Sequence, residues 1–118
     1  MGSKWYTVVV DSSDPAAIAN FWAAVLDYQV IYSAPDEVVI AKDDKTYPAL
    51  SFVPVPEGKT VKNRLHIDLN PENQAAEVER LTGLGARRID VGQGEVTGVV
   101  MADPEGNEFC VLRAREQP

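Results

Sequence analysis

Apolar residues recur along the chain in two alternating rhythms. Trp5–Asp11 (WYTVVVD) is a β-branched and aromatic run, which predicts a buried strand. Asp14-Pro15 then opens a helix, since Asp is a good N-cap and Pro is tolerated at the first helical position. Ile18, Phe21, Trp22, Val25 and Leu26 follow at the spacing of one helix face. Short strands are expected at about Tyr28–Ser33, Glu37–Lys42 and Ala49–Val53, with Ala34-Pro35-Asp36 and Asp43-Asp44-Lys45 as turns. Pro54, Pro56 and Gly58 mark a loop. The rhythm then returns. Asn63–Leu69 predicts a strand, and Asn70-Pro71 or Asn73 caps a second helix. That helix carries Val78, Leu81 and Leu84 on one face and stops at Gly85. Strands follow near Arg87–Val91, Val96–Met101 and Glu108–Ala114, with a hairpin turn from Asp103 to Asn107. The order is βαβββ, twice.

Such a pattern asks for an internal repeat. A slide of 59 residues lays the second half on the first without a gap. Thr7 falls on His66, Asp14 on Asn73, Ala16 and Ala17 on Ala75 and Ala76, Val25 on Leu84, Val30 on Ile89, Leu50 on Phe109 and Ser51 on Cys110. Identities are few, so the repeat is one of pattern. Each unit is expected to pack the apolar face of a sheet on its own helix. The other faces are expected to curve toward each other and leave a cleft. Alternation along Asn63–Leu69 puts Leu65, Ile67 and Leu69 on the helix face and Arg64, His66 and Asp68 on the open one. In the last strand Phe109 and Val111 share one face, while Glu108, Cys110 and Leu112 share the other.

Composition narrows the function classes. The 118 residues suffice for one domain, with repeat units at about 5–53 and 63–114. The net charge of −7 argues against sequence-independent nucleic-acid binding, which needs a basic surface. No apolar run is long enough to span a membrane, and the N-terminus lacks a signal-peptide pattern, so a cytoplasmic location is expected. One cysteine, Cys110, excludes an internal disulfide, and one histidine, His66, excludes a metal site with two histidines from one chain.

The segments DSSDPAAIANFWAAVLDYQV (11–30), KTVKNRLHIDL (59–69) and ADPEGNEFCVL (102–112) resemble the vicinal oxygen chelate superfamily, and within it the glyoxalase-like domain group. That superfamily includes glyoxalase I, bleomycin- and fosfomycin-resistance proteins and extradiol dioxygenases. The resemblance covers essentially the whole chain. It implies an α+β fold in which two βαβββ modules form a cupped mixed sheet with the helices outside. It also implies a homodimer, a partner that would cover the edges of short sheets.

Metal-dependent members carry ligands on the first and last strand of each unit, typically His, Glu or Gln. Here those positions hold Thr7, Ser51, His66 and Cys110, the same four that the 59-residue offset pairs. Only His66 is a usual ligand type. Glu108 shares a face with Cys110 and stands as a possible third donor beside His66 and Cys110. A pocket without metal is therefore expected, lined by Thr7, Ser51, Arg64, His66, Cys110 and Glu108, with Trp5 as wall or dimer contact. Each has a plainer role. His66 suits a structural hydrogen bond, Cys110 a small buried apolar group, and Glu108 a strand-end charge. Asp68 suits a partner for Arg64 or Arg87 or a solvated charge, and Arg64, Lys62 and Lys59 a solvated strand entrance.

Three functions fit these residues. The first is a small-molecule binder that holds its ligand in the cleft without metal. The second is a metal-dependent lyase, isomerase or dioxygenase in which the ion chelates adjacent substrate oxygens. The third is a metal-free enzyme with His66 as general base and Arg64 as charge stabiliser.

Overall fold

Asp14 opens the first helix as its sequence requires: its side chain accepts a hydrogen bond from the Ala17 amide at 3.2 Å, and Pro15 takes the first helical position. The helix α1 (Pro15–Leu26) ends at Asp27, which adopts the left-handed conformation and returns its N–H to the Ala23 carbonyl. Ile18, Ala19, Phe21, Trp22 and Val25 are buried on one face. They meet Val38, Ile40, Leu50 and Phe52, buried residues of a sheet built from β1 (Thr7–Ser12), β2 (Gln29–Ala34), β3 (Glu37–Ala41) and β4 (Ala49–Pro54).

A computed structural model describes residues 2–89 and 98–114, which fall into two compact units, Met1–Gly58 and Lys59–Pro118. In the first unit the strand order is β1-β4-β3-β2. β1 runs parallel to β4, and the remaining pairs are antiparallel. Parallel neighbours need a long crossover, and α1 with the β2–β3 hairpin supplies it.

The second unit repeats this plan with β5 (Asp68–Leu69), α2 (Gln74–Leu84), β6 (Arg87–Arg88), β7 (Gly98–Ala102) and β8 (Glu108–Leu112) in the order β5-β8-β7-β6. Asn73 is the N-cap of α2, accepting from the Ala76 amide at 2.8 Å, and Gly85 closes it at φ 116°. The core here is Leu69, Leu81, Met101, Phe109 and Val111. No helix among the described residues is long and apolar enough to cross a membrane.

The repeat holds at the level of register. In the first unit Val9 pairs with Ser51; 59 residues on, Asp68 pairs with Cys110 in the same parallel ladder. The gapless offset is corrected in one place. β3 ends at Ala41 and β7 at Ala102, an offset of 102 − 41 = 61. Seven residues separate β3 from β4 and five separate β7 from β8, so the shorter turn restores the offset by the last strand.

Two further expectations are corrected. The strand expected over Asn63–Leu69 shortens to Asp68–Leu69, and Leu65 points to solvent at 86% exposure. The cause is a long-range hydrogen bond. The Asn63 amide donates to the Glu108 carboxylate at 2.7 Å, so the chain before Ile67 follows that side chain instead of the ladder. Pairing starts where Cys110 N–H reaches the Ile67 carbonyl. At the N-terminus, Trp5 precedes β1 and is 67% exposed, so it is not part of the first strand. The strands expected at Arg87–Val91 and Val96–Met101 lie partly outside the described residues; within them, pairing covers Arg87–Arg88 and Gly98–Ala102.

Candidate functional site

Alternation along β5 and β8 sorts the side chains of the second unit into two sets. Leu69, Phe109 and Val111 are buried with the core. Asp68 and Cys110, Cα partners in the ladder, occupy the opposite face, and His66 joins them from the segment just before β5. His66 Nε2 lies 3.0 Å from Asp68 Oδ1, with the two side chains 48% and 49% exposed. A donor atom from each of His66, Asp68 and Cys110 lies within 4.8 Å of the other two. Burial pushes the Cys110 thiol up from its ordinary value; the Asp68 charge and a hydrogen bond to Asp68 add to the rise, and Lys62 opposes it. The thiol is thus a protonated donor to Asp68 at neutral pH and a poor nucleophile. An imidazole that donates Nε2–H to Asp68 keeps Nδ1 as an acceptor.

Asp68 is the residue that sequence reasoning misplaced. It is expected either to serve Arg64 or Arg87 or to be solvated; it is half exposed and pairs with His66. The signal was present: it shares a strand face with His66, and the offset that matches Ser51 to Cys110 also matches Val9 to Asp68. Glu108, a possible third donor beside Cys110, has both carboxylate oxygens engaged elsewhere. Oε2 accepts from Lys59 Nζ at 2.8 Å and Oε1 from the Asn63 amide at 2.7 Å. Burial opposes its charge, but these hydrogen bonds and the Lys59 charge outweigh it and hold the carboxyl below the usual carboxylate range. Glu108 therefore anchors the segment that leads to His66. Arg64 is exposed and has no ion-pair partner among the described residues.

In the first unit the equivalent positions are tied into their own sheet. Thr7 Oγ1 donates to the Ala49 carbonyl at 3.1 Å. Ser51 is 1% exposed and donates to Glu37 Oε2 at 2.6 Å. Glu37 was not singled out from the sequence, because nothing local marks a strand-start glutamate as a partner for a serine fourteen residues on. Trp5, exposed beside Tyr6 before β1, joins neither group.

The family resemblance points to a divalent metal, and the donors can be tested for it. Thr7 and Ser51 do not fit, being neutral hydroxyls already committed as donors. His66, Asp68 and Cys110 do fit: imidazole, carboxylate and thiol are the three protein ligand types of an open zinc site. An ion held there would supply Lewis-acid polarisation of a ligand oxygen.

The glyoxalase-like domain family matches residues 7–112. Among curated proteins none matches the sequence. Solved structures agree on the fold. A glyoxalase/bleomycin resistance protein/dioxygenase family enzyme from Burkholderia phytofirmans PsJN is 20% identical, with 89% of this chain and 94% of that chain covered and a TM-score of 0.60. A possible glyoxalase from Bacillus cereus is 14% identical, with 94% and 99% covered and a TM-score of 0.69. A fosfomycin resistance protein from Mesorhizobium loti is 17% identical, with 97% and 92% covered and a TM-score of 0.64. At these identities the likeness is one of fold. With its repeated βαβββ units and a family match across nearly its whole length, the chain belongs to the glyoxalase-like domain family.

Proposed function

We propose that this protein binds a small, oxyanion-bearing molecule on the open sheet face of its second unit, with His66 as the central polar contact. The observation that carries this reading is the half-exposed His66–Asp68 pair at 3.0 Å. Asp68 holds the imidazole by one nitrogen, and the other is left as an acceptor for a ligand hydroxyl. The surrounding charge supports an anionic ligand. Residues 59–66 (KTVKNRLH) carry three cations and no acid in a chain of net charge −7. Lys59 is committed to Glu108, while Lys62 lies close enough to act on Cys110 and Arg64 is exposed. An exposed guanidinium is suited to carboxylate or phosphonate. Structural neighbours include a fosfomycin resistance protein, which is consistent with small-molecule recognition on this fold.

The same dyad favours a second reading, in which His66 acts as a general base on the bound ligand, oriented by Asp68. Binding is tested first. A thermal-shift panel of small carboxylates and phosphonates, with neutral and cationic drugs beside them, should raise Tm for an anionic member, because a native-state ligand stabilises the fold. His66→Ala should then weaken that ligand, with Lys45→Ala as a surface control that leaves it unchanged. Stabilisation by cations alone, or equal affinities for the two variants, overturns the proposal. Turnover of the ligand that is lost in His66→Ala would establish the enzymatic reading.

A further inference from the structure

We propose that His66, Asp68 and Cys110 form a divalent transition-metal site contained wholly within the second unit. This deepens the reading of that face by naming its cofactor, and it rests on that reading only for its biological meaning. Three independent features converge on it.

The first is donor spacing. One donor atom from each residue lies within 4.8 Å of the other two, and the His66–Asp68 pair is 3.0 Å apart. Donors that share one tetrahedral ion at about 2.0–2.3 Å stand roughly 3.3–3.7 Å from each other. The adjustment is therefore about an ångström, within reach of side chains that are half exposed. The second is positioning. Asp68 and Cys110 are Cα partners on adjacent parallel strands, and the Cys110 amide bonds the Ile67 carbonyl at 3.0 Å. Two of the three donors are thus set by the backbone ladder. Glu108 anchors the approach to the third by holding Asn63 and Lys59. The third is the donor chemistry. Thiolate, imidazole and carboxylate together suit a borderline ion such as zinc or cobalt(II), with a fourth position open for an external oxygen.

The first unit shows what the same register looks like without such a site. There Val9, Ser51 and Thr7 occupy the places of Asp68, Cys110 and His66. The proposed site differs from one spread over both halves: it needs Asp68, and it is indifferent to Thr7 and Ser51. On binding, the thiol proton goes to solvent and the imidazole proton moves from Nε2 to Nδ1, which leaves three lone pairs for the ion.

Cobalt(II) titration followed by absorption tests this without any ligand or activity. The expected result is saturation at one ion per chain with a thiolate-to-cobalt charge-transfer band, displaced by zinc. Cys110→Ser should abolish the band. Asp68→Asn and His66→Ala should each weaken binding at least about tenfold, the low end of what loss of even a supporting partner costs. Thr7→Ala and Ser51→Ala should leave affinity unchanged, with circular dichroism checking the fold of every variant. Absence of the band in folded wild-type protein, an Asp68→Asn variant that binds as wild type, or loss of binding in folded Thr7→Ala each overturns the single-unit site. A metal site with no stabilising ligand in the thermal-shift panel would sink the ligand reading alone; a ligand bound without any cobalt band would sink this one alone.

Discussion

Glu108→Ala removes the anchor that draws residues 59–67 away from a regular strand. Wild-type Glu108 makes two charge-assisted hydrogen bonds, at 2.8 Å to Lys59 Nζ and at 2.7 Å to the Asn63 amide. Its side chain is 13% exposed and that of Lys59 17%, so solvent screens the pair only weakly. Hydrogen bonds to charged groups contribute about 1.5–3 kcal/mol each, and breaking a fully buried pair costs about 3–5 kcal/mol. Lys59 regains water once its partner is gone, which sets the expected loss at about 2–3 kcal/mol at pH 7. Urea denaturation followed by circular dichroism reads this directly. The pH dependence identifies the cause. The folded-state pKa of Glu108 is depressed, so its contribution is present above the unfolded value and is lost as pH falls through the lower folded value. The gap between wild type and Glu108→Ala should therefore narrow on going from pH 7 to about pH 3.5. A difference under about 0.5 kcal/mol at pH 7, or one that stays constant with pH, would refute the anchoring role.

Four shorter predictions accompany it. Gly85→Ala should lower stability by about 1–2 kcal/mol in thermal melts, because Gly85 sits at φ 116° and an added Cβ would meet Pro104 Cγ at 3.4 Å. Asn73→Ala should cost about 1 kcal/mol, since it removes the acceptor for the Ala76 amide at the start of α2. Phe52→Ala, which empties a fully buried position against α1, should cost about 3–5 kcal/mol. Metal-free Cys110 should alkylate more slowly at pH 8 than a free cysteine, and Asp68→Asn should speed it, because burial and then the Asp68 charge raise the thiol pKa.

Much of the fold was legible because its signals are local. Asp14-Pro15 and the apolar stripe from Ile18 place the start of α1, and Gly85 marks the end of α2, whose cap is Asn73 rather than the alternative Asn70-Pro71. The 59-residue offset even carries the β1–β4 register onto β5–β8. What was not legible depends on partners far away in sequence. Alternation at Leu65, Ile67 and Leu69 reads as a strand, yet a carboxylate 45 residues on takes the Asn63 amide and releases Leu65 to solvent. Glu108 shares a strand face with Cys110, which suggested a ligand; Lys59 and Asn63 claim both its oxygens first. Asp68 was hidden for the opposite reason. Arg64 lies on the same predicted strand face and offered a plausible salt bridge, yet the carboxylate pairs with His66, which shares that face.

The central claim is that function resides on the His66–Asp68–Cys110 face of the second unit. Its most direct test is an amide chemical-shift titration with the anionic ligand that the thermal-shift panel selects. The largest changes should fall on Arg64, His66, Asp68 and Cys110. Changes confined to β1 and β4, with those four amides silent, would contradict the account.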